Sequence, residues 1–179
     1  MLRRVPENKI LKLEYRGAPQ TVGVIRHAAL ESQKFYPVRI LAESVCQNIR
    51  SKDYLSEILA LYHYVCANTR YMRDPRTVEL VQAPYLVVEQ LSKGMTPNLD
   101  CDDMSALLAA LFLAVGCQTR VVTVAFQNMF HNGDRQYSHV FAQAKEPRSG
   151  AWITCDPVAA ENTDSMLRRT VAAKFWPIA

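Results

Sequence analysis

Residues 100–116 read Asp-Cys-Asp-Asp-Met-Ser-Ala-Leu-Leu-Ala-Ala-Leu-Phe-Leu-Ala-Val-Gly. Asp100 suits an N-cap, and Asp103 falls at the third helical position, as in a capping box with Asp in place of Glu. From Leu107 to Val115 the predicted helix is apolar all round, so it should be central and covered on most sides. Gly116 supplies a C′ stop. The uncharged apolar run Met104–Val115 is too short to span a bilayer and suits a buried helix instead.

Downstream of this helix the period changes. Thr119–Phe126 is rich in Val and Thr and predicts a strand, Asn132-Gly133 marks a turn, and Tyr137–Lys145 and Ala151–Asp156 predict two more strands. Pro147, Ser149 and Gly150 join the last two, and connections this short favour antiparallel pairing. Glu161–Ala179 opens as a helix and ends in Phe175-Trp176-Pro177, which local pattern does not place.

Upstream the pattern is helical. Tyr85–Leu91 predicts a short helix stopped by Gly94 and Pro97. Ser51–Thr69 predicts a longer one capped by Ser51, with Leu55, Ile58, Leu59, Tyr62, Val65 and Cys66 at helical spacing. Arg70–Pro84 reads as connecting structure broken by Pro75 and Pro84. Pro37 starts a helix to about Asn48, and Thr21 caps another to Lys34. Lys9–Tyr15 reads as a short strand with Gly17-Ala18-Pro19 as the turn after it. Helices first and a strand meander last imply an α+β fold, with the buried helix against an antiparallel sheet.

With 179 residues, the expectation is one domain, residues 1–179: an N-terminal elaboration over 1–50 and a core over 51–158. Lys plus Arg is 21 against 17 for Asp plus Glu, and the basic residues are scattered, which argues against a nucleic-acid partner. The five cysteines (46, 66, 101, 117, 155) are odd in number and form no Cys-x-x-Cys, so reduced thiols in a cytosolic-type compartment are expected. No apolar segment follows Arg3-Arg4, so neither a signal peptide nor a membrane partner is expected.

A thiol is a useful nucleophile only as thiolate. Cys101 sits in the first turn of the central helix, where free N–H groups and the helix dipole favour an anion and can receive an oxyanion. Asp100, Asp102 and Asp103 oppose this, because neighbouring carboxylates raise a thiol's pKa. A protonated imidazole beside the sulfur is the natural offset. His27 and His63 sit in predicted helices and His131 in a turn. His139 shares a strand face with Tyr137 and Phe141. Counted from a turn centred near Arg148, His139 and Asp156 fall opposite or diagonal, within side-chain reach. Asp156 would then orient the imidazole and leave its other nitrogen for Cys101. Each residue alone has a bland reading: a packed helix cysteine, a structural strand histidine, an Asp before Pro that forms a turn. Their joint placement is what points to chemistry.

Asp100-Cys101-Asp102-Asp103-Met104-Ser105-Ala106-Leu107-Leu108-Ala109-Ala110-Leu111, followed by Gly116-Cys117-Gln118-Thr119-Arg120-Val121-Val122, resembles the nucleophile helix and next strand of the transglutaminase-like superfamily. Ser138-His139-Val140-Phe141 resembles its histidine strand, and Trp152-Ile153-Thr154-Cys155-Asp156-Pro157-Val158 its aspartate strand. Thr69-Arg70-Tyr71-Met72-Arg73-Asp74-Pro75 is similar to the segment upstream of the cysteine. The Asp-Cys-Asp-Asp motif and the helical N-terminal third are similar in particular to the bacterial and phage-associated cysteine-peptidase branch.

The resemblance implies a papain-like α+β fold and a Cys101, His139, Asp156 triad. It implies a cysteine peptidase, amidase or transglutaminase-type acyltransferase acting on a protein or peptide substrate through a thioester. No cofactor is required; calcium is a candidate through Asp100 and Asp102. Asn98, with the Cys101 backbone N–H, is the candidate oxyanion donor. Two other classes stand beside this expectation: a non-catalytic phage or bacterial assembly protein that keeps the fold, and a cation-binding module on the acidic cluster at 100–103.

Overall fold

The computed structural model of the protein describes residues 11–13, 17–74 and 79–179. In chain order the elements are β1 (Leu11–Leu13), α1 (Ala18–Ser32), α2 (Tyr36–Cys46), α3 (Tyr54–Asn68), β2 (Arg70–Tyr71), β3 (Glu79–Val81), α4 (Pro84–Ser92), β4 (Asn98–Leu99) and α5 (Cys101–Ala114). Then come β5 (Thr119–Ala125), β6 (Phe130–His131), β7 (Asp134–Arg135), β8 (His139–Lys145), β9 (Trp152–Cys155), a 3-10 turn (Pro157–Ala159), α6 (Thr163–Arg169) and β10 (Ala172–Pro177). The fold is α+β, as expected.

The α5 helix forms because its two ends are satisfied locally. Asp100 Oδ1 accepts from the backbone N–H groups of Asp102 and Asp103, each at 3.2 Å. At the other end Gly116 has φ +82°. That conformation lets Cys117 N–H reach Phe112 O at 2.9 Å and Gly116 N–H reach Leu113 O at 3.0 Å, a full Schellman stop. Asp102 through Phe112 are all buried. Four helices, α1 to α4, pack around α5, and its remaining side lies on the sheet.

That sheet is four-stranded and antiparallel, in the order β10-β5-β8-β9. Val121, Val140, Ala142, Ala144, Cys155 and Trp176 join the core that holds α5. On the opposite face Val122, Val124 and Phe141 form a smaller core with Met166 of α6. Burial on both faces explains why β5 reads as an almost unbroken Val/Thr run. Asn132 and Gly133, at φ 50° and 83°, make the β6–β7 hairpin turn expected of an Asn-Gly pair.

Several expected boundaries move. Gly17-Ala18-Pro19 is the start of α1 rather than a turn: Pro19 sits in the first helical turn, where its missing N–H costs nothing, so Thr21 is not the cap. The α3 cap is Asp53, not Ser51; its carboxylate accepts from Ser56 N–H at 3.3 Å. Arg70–Pro84 is not only connecting structure. It contains β2, which pairs in parallel with β4, and β3, which pairs antiparallel with β1. Strands of two or three residues are too short to leave a periodic signal. Phe175-Trp176-Pro177 ends an edge strand paired to β5 along its length. The expected strand Lys9–Tyr15 is seen as Leu11–Leu13; its flanks lie outside the described residues. Among the described residues, no helix is long and apolar enough to cross a membrane.

Candidate active site

The β8–β9 ladder pairs Ala142 with Cys155 and runs to Lys145 with Trp152. Extending that register places Asp156 diagonal to His139, two residues off direct opposition. His139 Nε2 and Asp156 Oδ2 are 2.6 Å apart, with 10% and 1% of the two side chains exposed. Asp156 is also held through its other carboxylate oxygen and its carbonyl. Its Oδ1 accepts from Val158 N–H at 3.1 Å and caps the 3-10 turn, and its carbonyl accepts from the buried Tyr62 hydroxyl at 3.0 Å. Pro157 ends the strand immediately after it. The imidazole lies between aromatic rings, with centroids 6.2 Å from both Phe126 and Phe141.

A carboxylate only accepts, so the Asp156 contact fixes the His139 proton on Nε2 and leaves Nδ1 as the basic nitrogen. The β9 strand does not cover β8 at Val140, and the first turn of α5 approaches that open edge. The Val140 backbone N–H hydrogen-bonds the Cys101 sulfur. One turn on, Ser105 Oγ lies 2.6 Å from Cys101 O and 3.2 Å from Val140 O. The thiol is thereby held against the residue that follows His139.

The electrostatics are less favourable to a thiolate than the geometry. Burial pushes the Cys101 thiol well above its ordinary value; Asp102, Asp100 and Asp156 add to this, and the Val140 N–H pulls the other way. Burial also pushes Cys46 and Cys117 up to about 11, and Cys66 and Cys155 upward. Intrinsic acidity therefore does not single out Cys101.

Asp103 faces away from the thiol. Its Oδ1 accepts from Gln82 N–H at 2.6 Å and its Oδ2 from Gln82 Nε2 at 3.3 Å, tying the loop before α4 to the helix start. Burial pushes its carboxyl up to about 7, against the pull of the Gln82 N–H. A folded pKa above the unfolded one means the native state holds a proton the unfolded chain releases. This contribution to stability is full below the ordinary carboxylate pKa and is lost as pH rises towards 7. Asp103→Asn is expected to gain on the parent protein by about 1–4 kcal/mol between pH 4 and pH 8. Urea unfolding at the two pH values measures this, and an unchanged difference refutes it.

Asn98 is exposed on β4, and its carbonyl accepts from Gln82 Nε2 at 3.3 Å. Asp100 is engaged as the helix cap and Asp102 is buried. Among the described residues no group of three or more His, Cys, Asp or Glu side chains is placed to hold a metal. Sequence reasoning missed Tyr62, Gln82 and Ser105. Only Ser105 left a signal, as the single hydroxyl in an otherwise apolar run.

The model of the transglutaminase-like superfamily matches residues 41–157, more than half of the chain, and the protein belongs to that superfamily. Among solved structures, a provisionally named protease of Parabacteroides distasonis ATCC 8503 aligns over 81% of this chain and 28% of its own, with 12% identity and a TM-score of 0.57. A provisionally named cysteine protease of Cytophaga hutchinsonii aligns over 91% of this chain and 55% of its own, with 17% identity and a TM-score of 0.49. The first supports the fold. The chain spans less than two thirds of either structure's length. No curated protein matches significantly.

Proposed function

We propose that the protein is a thiol-dependent hydrolase or acyltransferase acting on peptide or amide bonds, with Cys101 as nucleophile, His139 as base and Asp156 orienting the imidazole. The observation that carries this reading is the 2.6 Å contact of His139 Nε2 with the buried Asp156, which leaves Nδ1 as the nitrogen that can serve a thiol. Superfamily membership supports it. His139 Nδ1 takes the thiol proton, and the sulfur attacks the acyl carbon. The oxyanion is received by the Cys101 backbone N–H and the Asn98 amide. As the tetrahedral adduct collapses, the imidazolium gives its proton to the departing amine and a thioester remains. Water resolves the thioester in a hydrolase, an amine in a transamidase.

The upward push on Cys101 makes the imidazole indispensable. A proton moved onto His139 leaves a cation next to the sulfur and beside the Asp156 carboxylate, which offsets Asp100 and Asp102. Alkylation with iodoacetamide across pH 5–9, mapped by peptide mass, tests this. Cys101 is expected to react selectively below the pH at which an ordinary thiol reacts, and His139→Ala to lose that selectivity. Cys101 reacting no faster than Cys46 or Cys117 refutes it. The same upward push favours the second reading, a non-catalytic phage or bacterial assembly protein that retains the fold, and that outcome would support it.

A further inference from the structure

We propose that Ser105 is a positioning residue that fixes the Cys101 thiol against His139 by tying the first turn of α5 to the Val140 peptide. The inference rests on the Cys101–His139 reading above. Ser105 is 1% exposed, and its hydroxyl lies within hydrogen-bond distance of two backbone carbonyls on two different elements: Cys101 O on the helix, 2.6 Å away, and Val140 O on the strand, 3.2 Å away.

A hydroxyl has one proton, so one O–H is shared between the two carbonyls. The two acceptors belong to the nucleophile itself and to the residue after the base. Val140 is held from both sides of its peptide, its N–H by the Cys101 sulfur and its carbonyl by Ser105. No β9 ladder partner stands at this point, since that ladder begins at Ala142. On its other edge β8 is paired by β5, with Val124 opposite His139 and Thr123 opposite Val140; on the edge that faces α5, Ser105 stands where a β9 partner would be. A Ser hydroxyl on the i−4 carbonyl is a common local bond in helices; the second carbonyl, 35 residues away in sequence, is what makes this one a tether.

Proton transfer and attack fall steeply with small displacements of the reacting atoms, on the order of 10²-fold for about 1 Å. The rate of Cys101 alkylation at pH 6 is therefore expected to drop roughly ten- to a hundredfold in Ser105→Ala, with the midpoint of its pH profile moving towards that of an ordinary thiol. Ser105→Thr keeps the hydroxyl and is expected to retain the parent profile. A purely structural role would lower the melting temperature of Ser105→Ala and leave its profile unchanged; that result overturns the proposal. If the alanine variant does not fold, a folded threonine variant that has lost the low-pH reaction overturns it equally. Parent protein without selective Cys101 labelling defeats the triad reading and this inference with it. Selective labelling that survives Ser105→Ala defeats this inference alone.

Discussion

Cys101→Ala is expected to reduce acyl transfer from an activated ester by about 10⁴-fold or more, the scale on which nucleophile removal acts in comparable triads. In the proposed reaction the covalent step runs through the Cys101 sulfur, and no other cysteine lies at the start of α5 beside β8. Cys117 and Cys155 are buried in the core that holds α5, and Cys46 and Cys66 pack against that core. The exchange replaces a half-buried thiol with a methyl group at a helix start already capped by Asp100, so it costs stability only about 1 kcal/mol. Intact mass after mixing with ester gives the clearest measurement: the parent protein gains one acyl group and the variant none. Acyl-enzyme in the variant, or a rate within tenfold of the parent, would refute the assignment.

Asp156→Asn is expected to lower the same rate by about 10²–10⁴-fold while leaving the fold in place. An amide oxygen can still cap the 3-10 turn through Val158 N–H, and the Tyr62 bond goes to the backbone, which the substitution does not touch. The contact with His139 Nε2 changes character. Asn presents an N–H there, which favours an unprotonated Nε2 and moves the proton to Nδ1. Nδ1 then cannot accept from Cys101, and the imidazolium loses its counter-charge. Asp156→Ala should differ in kind, because it removes partners from Val158 N–H and from the imidazole in a buried place. It is expected to lose about 1–3 kcal/mol of stability as well as activity. Rate measurement alongside thermal unfolding separates the two variants. An asparagine variant of parent activity would show that Asp156 only holds the turn.

The central helix was readable in sequence because its information is local. Asp100 and Gly116 mark its ends, and an apolar surface all round can mean only burial. The β8–β9 hairpin was readable for a related reason. A short turn fixes a register, and a register puts His139 and Asp156 on one face, diagonal as the structure has them. Edges were less legible. Asp53 and Ser51 are equally good caps by type, and only the chain path chose Asp53. The β2–β4 pair is two residues long and parallel, and β10 returns to the sheet from the end of the chain. Such pairings depend on distant partners and leave no period.

By itself, then, the sequence determined the α+β class, the buried central helix and the diagonal placement of His139 and Asp156, because spacing and capping are properties of neighbouring residues. Tertiary structure alone decided how those side chains are held. Tyr62 reaches the Asp156 carbonyl across 94 residues, and Ser105 reaches the Val140 carbonyl across 35. Tertiary structure also decided that the acidic cluster is a cap and a loop tether, with Asp100 on backbone N–H groups and Asp103 on Gln82. A buried polar atom has to find its partner in space, and the partner's distance along the chain is not written in the residues around it.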